Sequence, residues 1–232
     1  MRVDEKLLSW YRFHLFGRFI LGVSHEIDNY LSVILGFSEL LKLSPGNEQK
    51  LLKSVEKITG SAENLSRLIK KYSYYVRPQK DEELVFDISE TIDELITFAG
   101  YDLKRNGVVL EKRIHADASL LRGDRRNFAF MLLNVMVNAS ESMAQKGGEQ
   151  VITVNRENDK IVTHIIDDGV GIPSELSEKI FDPGFTTKGE MYRLGLGLSV
   201  SKYLAEKIGG SINFTSKVGN GTSFEIKTPT HM

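Results

Sequence analysis

The chain has 232 residues, 41% apolar and 26% charged, a balance that supports one or two packed domains and excludes a disordered chain. Lys plus Arg (30) against Asp plus Glu (31) leave a net charge of -1, so the broad positive field of a nucleic-acid binder is missing and no such partner is expected. Zero cysteines exclude disulfides, thiolate metal sites and cysteine nucleophiles, which leaves imidazole, carboxylate, amide and backbone groups for any chemistry.

The greasiest early stretch, Leu15 to Val23, is short and carries Arg18, and Asp4 and Glu5 precede it. Neither a spanning helix nor a secretory leader is expected, so this chain is assigned to the cytoplasm, with any membrane anchor outside it.

Phe16, Ile20, Val23, Ile27, Tyr30, Ile34, Phe37 and Leu41 alternate four and three apart, which predicts one long helix with an apolar seam. Ser44-Pro45-Gly46-Asn47 stops it, and Leu51, Val55, Ile58, Ala62, Leu65, Ile69 and Tyr72 repeat the pattern until Arg77-Pro78. A hairpin with one seam per helix cannot enclose a core, so pairing with a second copy as a four-helix bundle, a homodimer, is expected. Gln79-Lys80-Asp81-Glu82-Glu83 reads as a linker, dividing the chain into a hairpin over 1–78 and a second domain over 79–232.

Beyond the linker, Asp87 caps a helix from Ile88 to about Leu103, Val108 to Ile114 forms a strand, and Asp124 to Ala144 forms a strongly apolar helix. The β-branched runs Val151 to Asn155 and Ile161 to Ile166 flank the turn Glu157-Asn158-Asp159. A helix from Gly197 to Ile208 follows, then strands Ser211 to Phe214 and Ser223 to Lys227 around Gly219-Asn220-Gly221. The expected class is α+β: a helical hairpin, then an α/β sandwich with helices on one face of a mostly antiparallel sheet.

On the first helix His25 points roughly opposite to Ile20, Val23, Ile27 and Tyr30 and so faces solvent, with Asn29 on the same face and Glu26 on its flank. His-Glu-x-x-Asn lacks the second histidine of the zinc-protease pattern, which disfavours a metal here. A carboxylate that accepts one ring N–H leaves the other nitrogen free to attack, so this group suits a nucleophile; a solvated surface histidine is the plainer alternative.

In the apolar helix, Asn134 and Asn138 share a side, and such amides need polar partners. An amide oxygen suits hydrated Mg²⁺; a buried hydrogen bond to a loop would also satisfy it. Asp167-Asp168-Gly169-Val170-Gly171 ends a strand with an acceptor able to take the amino group of adenine beside glycines that let a base approach, or else forms only a tight turn. Glycines at Gly195 and Gly197 open a helix whose N–H groups can face phosphates. A P-loop lysine motif is absent, and Gly195-x-Gly197 is followed by Val200 rather than a third glycine, so P-loop and Rossmann readings fail.

Ser24-His25-Glu26 on a hairpin, then Asn138, Asp167-x-Gly169-x-Gly171, Phe181 to Lys188, Gly195-Leu196-Gly197-Leu198 and Gly219-x-Gly221-Thr222-x-Phe224, in this order over nearly the whole chain, resemble the sensor histidine kinases. The resemblance implies a dimerising phosphoacceptor hairpin followed by a Bergerat-type ATP-binding domain. It makes His25 the phosphoacceptor, Glu26 its activating base, Asn29 a residue that orients water in phosphatase action, Asn138 the Mg²⁺ ligand and Asp167 the adenine partner. It places Asn134, Gly169, Gly171, Phe185, Thr186, Thr187, Lys188, Gly195, Leu196, Gly197, Leu198 and Thr222 at the nucleotide, with Phe181 to Leu198 as a lid. ATP and Mg²⁺ are the implied cofactors, and a response-regulator receiver domain, a second copy of the chain and a sensor module are the implied partners.

The chain departs from the family's pattern in three places. Tyr30 stands where a proline usually kinks the helix, Asp168 stands where asparagine is usual, and Arg193-Leu194 replace glycine and threonine in the lid. A non-catalytic phosphotransfer or scaffold dimer is the rival reading. A gyrase- or chaperone-like ATPase is another, disfavoured by the exposed His25 on a heptad hairpin.

Overall fold

Side chains with a free acceptor oxygen start four of the α-helices described. In a computed structural model, which describes residues 3–43, 47–77, 82–187 and 194–230, Asp4 accepts the Leu7 N–H and opens α1 (Glu5–Arg18). After α2 (Ile20–Leu43), Asn47 accepts the Lys50 N–H and opens α3 (Glu48–Val76). Asp87 caps α4 (Ile88–Arg105), and Asp124 caps α5 (Arg125–Ser142) through the N–H groups of both Arg126 and Asn127. Each such cap supplies about 1 kcal/mol.

The single helix expected from Phe16 onward is two helices. At Phe19 (φ -85°, ψ 1°) the N–H turns back to the carbonyls of Phe16 and Gly17, so α1 ends there and α2 begins one residue later. Helix α1 leaves the seam: Leu8, Leu15 and Phe16, with the capping Phe19, are buried between the end of α3 and the second unit, where Phe16 stacks on Tyr75 and Phe130. Through Tyr30, where the family's proline would stand, α2 continues as helix, and the break lies upstream of His25 instead.

Helices α2 and α3 form the expected hairpin, with Ile27, Tyr30, Ile34, Phe37 and Leu41 half-buried along α2. The seam of α3 is offset from the expected one. Ile58, Leu65 and Tyr72 join Ser54, Leu68 and Tyr75 in the buried or half-buried row, while Leu51, Val55, Ala62 and Ile69 remain exposed. Both rows repeat every 3.5 residues on average, so the pattern alone does not say which one faces α2.

The second unit begins with β1 (Leu84–Asp87), which pairs antiparallel with β3 (Leu120–Gly123) in a two-stranded sheet. Neither strand was expected, because four residues are too few to establish an alternation. The main sheet joins β2 (Val108–Ile114), β4 (Gly148–Glu157), β5 (Lys160–Asp167), β6 (Ser211–Lys217) and β7 (Gly221–Pro229) in the order β2-β4-β5-β7-β6. Only the β2 and β4 pair is parallel; the others are antiparallel. Helices α4, α5 and α6 (Gly197–Lys207) pack on this sheet, and α5 is buried on almost every side.

The two units are tied where α3 ends. Tyr75 Oη donates to Glu94 Oε2 at 2.5 Å, and Lys71 and Arg125 reach the same buried carboxylate at 2.8 and 3.1 Å. Burial, the bond to Glu94 and that carboxylate's charge push the Tyr75 hydroxyl's pKa far up, so it remains a donor. The expected boundary at 78/79 and most of the expected linker lie outside the described residues. Among the described residues no helix is long and apolar enough to cross a membrane.

Candidate functional site

A cavity of about 360 Å³ opens where α5, the end of β5 and the N-terminus of α6 meet, a size typical of small-molecule sites. At its floor Asp167 is buried, and its Oδ1 accepts hydrogen bonds from Ser142 Oγ (2.8 Å) and the Gly169 N–H (3.0 Å). Burial pushes the Asp167 carboxyl's pKa up against the lowering effect of these bonds and of the Thr222 backbone, and the neighbouring Asp168 charge adds to the rise. Only glycine fits at position 169, since a Cβ there would overlap Ser142 Oγ. The result is a carboxylate with one oxygen fixed by the fold, at a cavity wall, ready to accept from a ligand N–H.

Asp168 does not share this role. Its Oδ1 accepts the Glu149 N–H at 2.9 Å, and the residue, just past the end of β5, is exposed and does not line the cavity. The extra charge that the sequence places after Asp167 is therefore turned away from the pocket.

On α5, Asn134 donates from Nδ2 to the Phe130 carbonyl, while its buried Oδ1 has no hydrogen-bond partner. A Cβ placed on Gly197 would lie 3.5 Å from Asn134 Oδ1, 3.5 Å from Asn138 Nδ2 and 3.2 Å from the Tyr11 hydroxyl, so these groups converge at the start of α6. Leaving a buried amide oxygen unpaired costs about 1–3 kcal/mol, which a cation or its water would relieve. Amide oxygens beside Glu141 form a hard donor set that fits Mg²⁺. Among the described residues no cluster of three or more His, Asp or Glu is placed to hold an ion by itself.

Thr186 and Thr187 line the cavity with Phe185 on one side, and Gly195, Leu196, Gly197 and Leu198 line it on the other. The two flanks meet where the Gly184 N–H donates to the Gly195 carbonyl at 2.9 Å; Gly195 has φ +63°, and a Cβ there would run into the Gly184 backbone. Thr222 and Gly171 also line the cavity. Lys188 and Arg193 lie outside the described residues.

The residues singled out on the hairpin are elsewhere. His25 is exposed, and its ring stacks on Tyr101 of α4 at 5.1 Å between centroids; Asn29 is exposed and Glu26 half-buried. None of the three lines the cavity. Sequence reasoning missed four lining residues from α1, Tyr11, His14, Leu15 and Arg18, and also Glu141 and Ser142. The last two could have been found, since they follow Asn138 by one helical turn. Nothing in the sequence brings α1 to a pocket built more than a hundred residues later.

Comparison with known proteins finds two family models along the chain. Residues 17–81 match the family model of the His Kinase A (phospho-acceptor) domain, and residues 123–232 match that of the histidine kinase-, DNA gyrase B- and HSP90-like ATPase. The chain is similar to sporulation kinase A of Bacillus subtilis, 26% identical over 98% of this chain and 37% of that protein. It is also similar to the sensor histidine kinase ZraS of Salmonella typhimurium, 27% identical over 99% of this chain and 48% of that one. The chain thus spans less than half the length of these relatives. Among solved structures, the catalytic domain of the histidine kinase ThkA superposes with a TM-score of 0.58 at 28% identity, covering 64% of this chain and 96% of that one. ThkA in complex with the response regulator TrrA gives 0.56 at 26% identity, covering 96% of this chain and 64% of that one.

Proposed function

We propose that this chain, which belongs to the sensor histidine kinases, transfers the γ-phosphoryl group of ATP to a nitrogen of His25 and then to an aspartate of a response-regulator receiver domain. The observation that carries this reading is the cavity itself. A buried carboxylate with one anchored oxygen, an orphaned amide oxygen and a helix N-terminus surround one space, which matches the adenine, metal and phosphate ends of a nucleotide.

In this reading Asp167 accepts the adenine amino group and the start of α6 faces the polyphosphate. Asn138, with Asn134 behind it, would hold Mg²⁺, whose charge would stabilise the transferring phosphoryl group. Thr186, Thr187 and Lys188 belong to the lid. Glu26 accepts one ring N–H of His25 so that the other nitrogen attacks in line, and Asn29 holds water for hydrolysis of the regulator's phospho-aspartate. Because His25 rests on Tyr101, transfer needs the hairpin to shift against the ATP-binding unit, or the hairpin of a second copy to present its own histidine.

The hairpin over 1–78 dimerises as a four-helix bundle in this reading, and the domain over 79–232 binds ATP. Exposed Leu35, Leu52 and Val55 supply an apolar surface that a second hairpin would cover. A sensor module outside this chain supplies the input. The similarity to ThkA bound to a response regulator supports the choice of partner.

The test is phosphotransfer. Chain labelled from γ-labelled Mg-ATP should pass its label to an isolated receiver domain. Asn29→Ala should leave that transfer intact while slowing loss of label from the receiver by about ten- to a hundredfold. A labelled chain that passes nothing to any receiver domain of its own source would refute the second step.

A further inference from the structure

The cavity described above has a peculiar charge balance. Of the described residues that line it, Glu141 and Asp167 are carboxylates, and Arg18 is the only arginine or lysine. Arg18 lies outside the ATPase match, at the very start of the phospho-acceptor match; it is the last residue of α1, the rest of which, up to Phe16, precedes both. We propose that Arg18 binds the polyphosphate of the nucleotide, so that α1 is a wall of the nucleotide site and Arg18 a residue that positions the phosphoryl groups. This inference rests on reading the cavity as an ATP site.

Tyr11, His14, Leu15 and Arg18 are spaced three, four and seven residues apart and form one face of α1, and all four line the cavity. The helix is held there deeply. Arg12 is buried, with Nη2 donating to Asn127 Oδ1 at 2.6 Å and its guanidinium over the Phe130 ring, and Lys207 reaches Glu5 at 2.7 Å. With α1 in place, about 360 Å³ remains open, so the helix bounds the space rather than filling it.

Arg18 Nη2 donates to Glu141 Oε1 at 2.9 Å, and Glu141 lies one turn beyond Asn138 on α5. Arg18, Glu141 and Asn138 line the same cavity, so the guanidinium and the amide assigned to the metal border one space. The Glu141 side chain is 7% exposed and that of Arg18 is 28% exposed, so the cation is the more open partner of the pair. A guanidinium has five N–H donors in a rigid fork, and it can hold a carboxylate on one edge while offering another to a phosphate. The Tyr11 hydroxyl, near Gly197 at the start of α6, adds a second donor from the same helix face.

The test uses the full chain, with ATP and adenosine as probes in Mg²⁺ buffer, by titration calorimetry. Arg18→Ala should weaken ATP binding by about tenfold or more and change adenosine binding by less than about twofold, since the lost bond is charge-assisted and reaches only the phosphates. Arg18→Lys should recover part of the ATP affinity, and Arg18→Met, which keeps the apolar stem, should behave like Arg18→Ala if α1 remains docked. Arg18→Ala combined with Glu141→Gln should stay weak. ATP affinity that is unchanged or tighter in Arg18→Ala and Arg18→Met, or restored in the double variant, would overturn the assignment: the first makes α1 a passive wall or an obstruction, the second makes Arg18 only a neutraliser of Glu141. If the unaltered chain binds neither probe, or Asp167→Asn binds both undiminished, the nucleotide reading of the cavity is what fails. Normal wild-type binding with unaffected Arg18 variants refutes this inference alone.

Discussion

Asp167 is placed where its charge serves a ligand at a cost to the folded chain. Its pKa is raised by burial, so the stability linked to its protonation is present below the ordinary carboxylate range and is lost as pH rises through the folded-state value. At neutral pH the charged form therefore destabilises the protein without nucleotide. In Asp167→Asn the amide oxygen can still accept from Ser142 and Gly169, while the adenine-facing oxygen becomes a donor. Scanning calorimetry without nucleotide at pH 7 should find this variant at least as heat-stable as the parent, with any advantage vanishing at acid pH, while ATP affinity falls about tenfold or more. A variant less stable than the parent at pH 7 would show that the carboxylate is needed by the fold. Asp168→Asn, by contrast, should keep ATP affinity within about twofold, because that side chain serves the Glu149 N–H and an amide oxygen can replace it. A larger loss in the same titration would mean that its charge does reach the cavity.

At the scale of elements, the offset row on α3 changes how dimerisation has to be tested. Ile34 and Leu65 are half-buried within the hairpin, so charging them would disrupt the hairpin itself. Leu35 and Leu52 are 64% and 62% exposed, and Glu at both should give a monomer in light scattering without unfolding the hairpin, since a charge buried in a bundle costs about 3 kcal/mol or more. A dimer that persists in that variant places the interface elsewhere. The carboxylate shared by Tyr75, Lys71 and Arg125 makes a separate prediction: Glu94→Ala should lower stability by about 1–3 kcal/mol in chemical denaturation, because the Tyr75 hydroxyl loses its acceptor and Lys71 and Arg125 lose their ion-pair partner. No measurable change would mean that the other contacts between the units, the packing around Phe16 and the Arg12 bond to Asn127 among them, suffice to hold them.

Long helices were legible in the sequence because their apolar repeat runs over several turns, and the carboxylate, amide and glycine landmarks of the cavity because each is encoded within about one helical turn or one strand end. Phe19 as a break was not, since an aromatic residue carries no stop signal and α1 owes its position to Phe130, Tyr75 and Phe98, far along the chain. The same distance hid Arg18 from the site. The β1 and β3 pair was too short to read, and the α3 row facing α2 could not be chosen between two equivalent repeats.

Across the whole molecule, the proposed donor and acceptor stand apart: the cavity opens between α5 and α6, while His25 rests on Tyr101 of α4. Helix α1 walls the cavity and meets α2, which carries His25, at Phe19. What matters most is whether phosphate crosses that gap. The chain should be incubated with γ-labelled Mg-ATP beside His25→Gln, with ATP binding measured on both and the label tested for survival in acid and in alkali. The account predicts label on the unaltered chain that is lost in acid and kept in alkali, none on His25→Gln, and equal ATP affinity in the two. Acid-labile label persisting on His25→Gln, or no label on a chain that binds Mg-ATP, would contradict it.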